Sequence, residues 1–139
     1  MLKPIAIRIE RDIKASPATV WACLTRPDLI AQWFFAVDFQ PRAGHRFCIR
    51  GDEALGWRGW TDVEVIEIQA PRRMVWSFDC TEQAPPGRVV FTLEERAGFV
   101  RFVLTHEGRV PMATRRLLDT GWADYAARLS RLAESNRLS

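Results

Sequence analysis

Apolar side chains occupy every second position in three successive segments of this chain, and then the period changes. Met74, Trp76 and Phe78 share one face of the first segment, Val89, Phe91 and Leu93 of the second, and Val100, Phe102 and Leu104 of the third. A period of two is the mark of a strand with one buried face. The breaks between segments are short, Pro85-Pro86-Gly87 and Ala97-Gly98. Such connections join antiparallel neighbours, because a parallel pair needs a long crossover. From 112 to 134 the apolar residues follow a helical period instead. Leu117, Leu118, Gly121, Trp122, Tyr125, Leu129 and Leu132 fall within an arc of about 140°, wide enough for a core-facing stripe. A half-apolar sheet and one long amphipathic helix must bury these surfaces against each other. The expected class is α+β, a curved antiparallel sheet closing on a terminal helix.

The first half of the chain fits this plan. Ile5, Ile7, Ile9 and Ile13 alternate with Arg8, Glu10 and Asp12, which predicts a first strand. Ser16-Pro17 reads as an N-cap followed by proline at the first helical position, where its missing N–H costs nothing. A short helix carrying Val20, Trp21 and Leu24 follows. Thr25-Arg26-Pro27-Asp28 repeats the device, with Thr25 as candidate cap and Asp28 near the positive end of a second short helix. Leu29, Ile30, Trp33 and Phe34 give that helix its apolar side. The stretch 41–44 breaks the chain, 46–50 can form a strand, and 51–56 is a polar turn. Further strands are expected at 57–68, 73–80, 88–95 and 99–107, with Gly108 and Pro111 ending the sheet. Residues 136–139 are expected to fray. With no internal repeat or low-complexity tract, 1–139 reads as one domain.

Composition narrows the function classes. At 139 residues, 47% hydrophobic and 27% charged, the chain is a globular type able to bury a core without staples. Its net charge is only +3, and its arginines are interleaved with acids. No basic stripe marks a nucleic-acid or anionic-membrane partner. Cys23, Cys48 and Cys80 are odd in number, widely spaced and without a CxxC pair, which fits reduced thiols in the cytoplasm. Residues 1–15 do not have the form of a signal peptide, and no apolar run approaches the roughly 20 residues of a membrane helix. A soluble, cytoplasmic monomer or homodimer is expected.

The chain carries six tryptophans and eight phenylalanines, several on the predicted inner faces. Each alone could simply fill a core. Together, on a helix lying across a curved sheet, they suggest an apolar site where the two surfaces diverge. Trp33 or Phe34 should touch it, and Trp76, Phe102 and Trp122 should wall it. Two polar residues point the same way. His106 continues the series Val100, Phe102, Leu104, and Arg11 shares the face of Ile5, Ile7, Ile9 and Ile13. A buried guanidinium needs a partner or a bulge that turns it outward. The structural alternatives are a hydrogen-bonded core histidine and a salt-bridged strand arginine. Gly121 lies inside the long helix, where glycine costs roughly 0.5–1 kcal/mol relative to alanine. It either lets helix and sheet approach or leaves room for a ligand.

Other chemistry is weakly signalled. His45 and Cys48 are three apart on a strand, hence on opposite faces, and no Cys/His set completes a zinc site. Ser16 and Ser77 lack a nucleophile elbow, and Asp38, Asp79 and Glu107 read as solvated carboxylates. No glycine-rich phosphate loop appears. Neither a metal nor a cofactor is expected.

The motifs in their order resemble a known family. The stretch from Arg11 through Ser16-Pro17 to Trp21 looks like its opening, and Leu24-Thr25-Arg26-Pro27-Asp28 with Gln32-Trp33-Phe34 like its second signature. Pro41-Arg42-Ala43-Gly44, the start of a strand at Trp57, Leu104-Thr105-His106-Glu107-Gly108 and Gly121-Trp122 continue the match. The chain is similar to the activator of heat-shock-protein-90 ATPase homologue-like family, within the START-related SRPBCC superfamily. The resemblance implies a helix-grip fold around a hydrophobic cavity. Functions in such proteins include lipid or polyketide binding, cyclisation, self-resistance to a toxic metabolite and co-chaperone action, and fold alone does not choose among them. The co-chaperone activators carry an additional N-terminal domain for which this chain has no room, an expectation against chaperone activation.

The leading expectation is a non-catalytic binder of a small hydrophobic or aromatic molecule, with Trp33, Phe34, Trp76, Phe102, Trp122, His106 and Arg11 as its site. The main rival is a cyclase- or hydrolase-like enzyme using His106 with Arg11 in the same cavity. A protein-interaction module related to co-chaperones is the third.

Overall fold

A computed structural model describes residues 1–135 of the chain. Its elements run β1 (Leu2–Ile13), α1 (Pro17–Thr25), α2 (Pro27–Trp33), β2 (Arg46–Arg50), β3 (Trp60–Gln69), β4 (Arg73–Asp79), β5 (Gly87–Arg96), β6 (Phe99–Pro111) and α3 (Met112–Ser135). The expected fraying of 136–139 lies outside the described residues. Strands β2 to β6 form an antiparallel meander, and β1 joins its far side beside β6, giving the order β1-β6-β5-β4-β3-β2. A bulge in β3 places Val65 opposite Trp76 but Glu67 opposite Val75, and the extra residue, Ile66, is exposed. Bulges of this kind bend a strand and increase its twist. The concave face receives α3, and α1 and α2 close one end. This is the α+β helix-grip architecture, a curved antiparallel sheet around a long C-terminal helix.

The apolar faces read from the sequence are the ones buried. Trp76, Phe91, Phe102 and Leu104 are at most 1% exposed, and Trp122 from α3 is 2% exposed. The Ser16 cap forms as expected, its Oγ accepting from the Thr19 amide at 3.1 Å with Pro17 opening the helix. Thr25 does not cap α2. It is the last residue of α1, its hydroxyl donating to the Trp21 carbonyl at 2.7 Å, and Arg26 stands at the N-cap of α2 without a side-chain bond. A helix that ends at Thr25 has used that side chain before the next begins.

Two boundaries also move, and one apolar stripe divides. β3 starts at Trp60 rather than 57, because Trp57 folds back to bridge Ala54. β6 does not end at Gly108. It continues to Pro111, since β1 begins as early as Leu2 and supplies partners, Leu2 opposite Pro111 and Ile5 opposite Gly108. The stripe on α3 divides: Trp122, Ala126, Leu129 and Ala133 are buried, whereas Leu117 is 41% exposed and Leu118, Gly121 and Tyr125 are half-buried. The C-terminal half of the helix packs down, and the N-terminal half stands off the sheet.

No helix among the described residues is long and apolar enough to cross a membrane.

Candidate functional site: an apolar cavity under the first half of α3

The end of α2 sets the first wall. Phe34 caps the helix with φ −128° and ψ −110°, its ring 5.2 Å from that of Trp33 and tilted by 30°. Trp33 turns into the core, its indole donating to the Cys23 carbonyl at 2.7 Å. Phe34 turns under α3 and stacks on Trp122, ring centroids 5.7 Å apart and planes 7° from parallel. Tyr125 and Phe35 meet its edge at 5.0 Å each.

The segment before β3 supplies the opposite wall. Trp57 folds inward and its indole donates to the Trp60 carbonyl at 3.1 Å and to Thr61 Oγ1 at 3.0 Å. Beside it, Gly56 lies directly against the start of α3, where a Cβ would fall 2.5 Å from the Ala113 carbonyl carbon. Thr114 Oγ1 fastens the contact by donating to the Gly56 carbonyl at 2.6 Å.

Between these walls is a cavity of about 90 Å³. Phe34, Phe35 and Trp57 line it on one side, and Ile49, Thr61 and Phe78 of the sheet, with Cys80 just beyond β4, line it from below. Helix α3 roofs it with Thr114, Leu117, Leu118, Gly121, Trp122 and Tyr125. A Cβ built on Gly121 would meet only the Tyr125 ring, at 3.5 Å, and no atom of the sheet within 4 Å. The glycine therefore does not serve a close helix–sheet approach. It leaves space.

No carboxylate or cationic side chain lines the cavity. Its polar groups are hydroxyls and a thiol. Burial pushes the Cys80 thiol up to about 11, outweighing a backbone hydrogen bond and nearby Arg58, so it stays protonated. Burial likewise raises Tyr125 above the ordinary phenol value, against the pull of Arg128. Its hydroxyl has no hydrogen-bond partner among the described residues.

His106 sits just behind the lining. Its Nδ1 accepts the Trp122 indole N–H at 2.9 Å, and Phe78 packs edge-on at 4.9 Å. An indole nitrogen only donates, so Nδ1 carries the lone pair and the ring proton resides on Nε2. Nε2 points toward Gly87, 3.0 Å from where a Cβ there would stand. Burial pushes this histidine down to about 4. It is a neutral strut, and it presents no free lone pair to the cavity.

Residues 14–134 match the family described as Activator of Hsp90 ATPase homolog 1-like protein. The chain belongs to this family. Protein MLL2253 from Mesorhizobium loti is 28% identical, with 96% of this chain and 100% of that one covered and a TM-score of 0.82. CalU16 from Micromonospora echinospora is 20% identical, covering 96% of this chain and 83% of that one at a TM-score of 0.76. DynU16, described as a protein in the dynemicin biosynthetic locus, is 24% identical at a TM-score of 0.74. The alignment with DynU16 covers 94% of this chain and 47% of that one. These neighbours are SRPBCC-type proteins and share the helix-grip fold. No curated protein matches the sequence.

In this member of the Activator of Hsp90 ATPase homolog 1-like family, only part of the expected site converges. Phe34 and Trp122 line the cavity. Trp33, Trp76 and Phe102 lie deeper, fully buried, and form its foundation. His106 reaches it through Trp122 and Phe78. Arg11 lies on β1 opposite Phe102, half-exposed, away from the lining residues and with no ion pair among the described residues. Sequence reasoning missed Phe35, Trp57, Thr61, Cys80, Thr114 and Tyr125. Tyr125 and Leu118 stood on the apolar stripe and were legible as a group with Gly121. Trp57 was hidden because it was read as a strand residue.

Proposed function

We propose that this protein binds a small uncharged apolar or aromatic molecule in the cavity beneath the first half of α3. Gly121 carries the reading. A glycine in a helix interior costs roughly 0.5–1 kcal/mol relative to alanine, and here no backbone contact requires it. The neighbouring walls are aromatic rings that suit a flat guest. An apolar cavity of about 150 Å³ holds a benzene ring, so 90 Å³ takes at most one ring-sized group. A whole lipid chain is too large for it. The absence of charged groups in the lining favours neutral ligands, since a buried unpaired ion is costly. His106 offers no accessible base, which favours binding over proton-transfer chemistry. The family's description names an Hsp90 ATPase activator; the cavity supports the small-molecule reading for this chain.

The test uses toluene as probe and Gly121→Leu as the filled cavity. Toluene should quench tryptophan emission saturably in the native protein and raise its melting temperature. Gly121→Leu should fold and show neither response. Gly121→Ala should be more stable than the native protein by roughly 0.5–1 kcal/mol while binding toluene less well. A native protein with no saturable response to toluene would refute the cavity reading.

A further inference from the structure

The hydrogen bonds around the cavity engage nearly every donor in its lining. Two lining residues are tryptophans, and each indole has a single N–H that is already used. Trp122 donates to His106 Nδ1 at 2.9 Å, and Trp57 donates to the Trp60 carbonyl at 3.1 Å and to Thr61 Oγ1 at 3.0 Å. The Thr114 hydroxyl gives its proton to the Gly56 carbonyl at 2.6 Å. The Cys80 thiol is a weak donor. Tyr125 is only half-buried, so burial does not oblige its hydroxyl to pair within the cavity.

Thr61 is different. It is 2% exposed and lies on the inward face of β3, in phase with buried Val63 and Val65 and opposite Ile49, which also lines the cavity. Its Oγ1 accepts from Trp57, and an indole nitrogen can only donate, so the hydroxyl proton must point elsewhere. That proton has no acceptor among the described residues. A buried hydroxyl without an acceptor is unfavourable, because it has given up water and gained nothing in return. Trp57 thus does more than wall the cavity. It fixes the Thr61 hydroxyl as a donor that only a guest can satisfy.

We infer that the ligand is a single neutral ring bearing a hydrogen-bond acceptor of the carbonyl or ether class, and that Thr61 is the residue that selects it. This rests on the cavity reading above and adds the ligand's class. Apolar walls favour any ring small enough to enter and do not tell an oxygen from a methylene. A site built around a donor discriminates against the analogue that lacks the acceptor, because the hydroxyl then stays unpaired among hydrocarbon. An ionised carboxylate does not fit, since one neutral hydroxyl among aromatic walls cannot compensate a full buried charge.

Benzaldehyde and styrene test it, being close in shape, with a carbonyl oxygen in one where the other has a terminal methylene. Calorimetric titration gives the ratio of their affinities. Comparing that ratio between variants cancels whatever a substitution does to both guests alike. In Thr61→Val, similar in shape but without the hydroxyl, the ratio should shift about tenfold against benzaldehyde, the equivalent of one net hydrogen bond. Thr61→Ser keeps the hydroxyl and should keep the native ratio. Trp57 retains the Trp60 carbonyl as acceptor in both variants, and Thr61→Ala takes the place of the valine variant if that fails to fold. An unchanged ratio in Thr61→Val would overturn the inference, as would one that falls as far in Tyr125→Phe. In either case styrene and toluene would still bind the native protein and the cavity reading would stand. Failure of all three probes to bind the native protein would remove the cavity reading and this inference with it.

Discussion

The indole N–H of Trp122 donates to Nδ1 of His106 at 2.9 Å, tying α3 to β6 through two side chains that are at most 2% exposed. The bond selects the neutral imidazole, because a protonated ring would set one N–H against another. Burial acts in the same direction and holds the histidine at about 4.

This pair makes stability depend on pH. An unfolded histidine titrates near 6.5 and the folded one at about 4, so the unfolded state binds more protons between these values. Stability is fully present above the unfolded value and is lost as pH falls from 6.5 toward 4. The loss attributable to His106 should be on the order of 3 kcal/mol at the acid end. Urea unfolding at pH 7.5 and pH 4.5 measures it. In His106→Gln, where an amide oxygen can accept the indole bond, the fall between these two values should be smaller by on the order of 2–3 kcal/mol. An equal fall in both proteins would mean that the ring is not buried neutral.

Trp122 itself should be the most sensitive position on α3. Truncation to alanine removes its stack on Phe34 and its contacts with Phe78 and Phe91, and should cost roughly 3–5 kcal/mol. Trp122→Phe retains an aromatic ring but leaves His106 Nδ1 without its donor, costing about 1–3 kcal/mol. The order, native then phenylalanine then alanine, is read from urea midpoints. A phenylalanine variant as stable as the native protein would show that the indole bond contributes nothing.

How much of this could be read in advance follows from the range of each interaction. The alternation of Trp76, Phe91 and Phe102 is local, and it gave the strands, their buried faces and the inward direction of His106. The stripe on α3 showed which residues face inward, but not where helix and sheet separate. That depends on the bulge at Ile66 and on the height at which α3 leaves Pro111, both consequences of many strands packing at once. Phe34 was legible because it is near the end of a short apolar helix. Its place beneath α3, beside Trp33, follows one irregular backbone conformation that no residue type announces. Arg11 followed the alternation of β1 and still lies half-exposed, because a face that points inward in phase is covered only where another element overlies it. Trp57 was misplaced for a related reason: an aromatic before a run of β-formers reads as a strand, whereas its fold-back depends on a contact between Gly56 and a helix more than fifty residues away.

That contact sets the last expectation. Gly56 has φ +93°, a region that L side chains rarely adopt, and a Cβ there would fall within 2.7 Å of three backbone atoms of Ala113 and Thr114. Backbone cannot yield as a side-chain tip can, so Gly56→Ala must lift the 53–58 segment from α3. The Thr114–Gly56 hydrogen bond would break and Trp57 would lose its seat over the cavity. Gly98 provides the control: its φ is +85°, yet nothing lies within 4 Å of its added Cβ. Gly98→Ala should show the backbone penalty alone, roughly 1–3 kcal/mol. Gly56→Ala should lose clearly more, and in addition its tryptophan emission should become more accessible to acrylamide and its toluene affinity should fall. Equal losses of stability in the two variants, with quenching unchanged, would mean that the segment and the helix are not held together at this point.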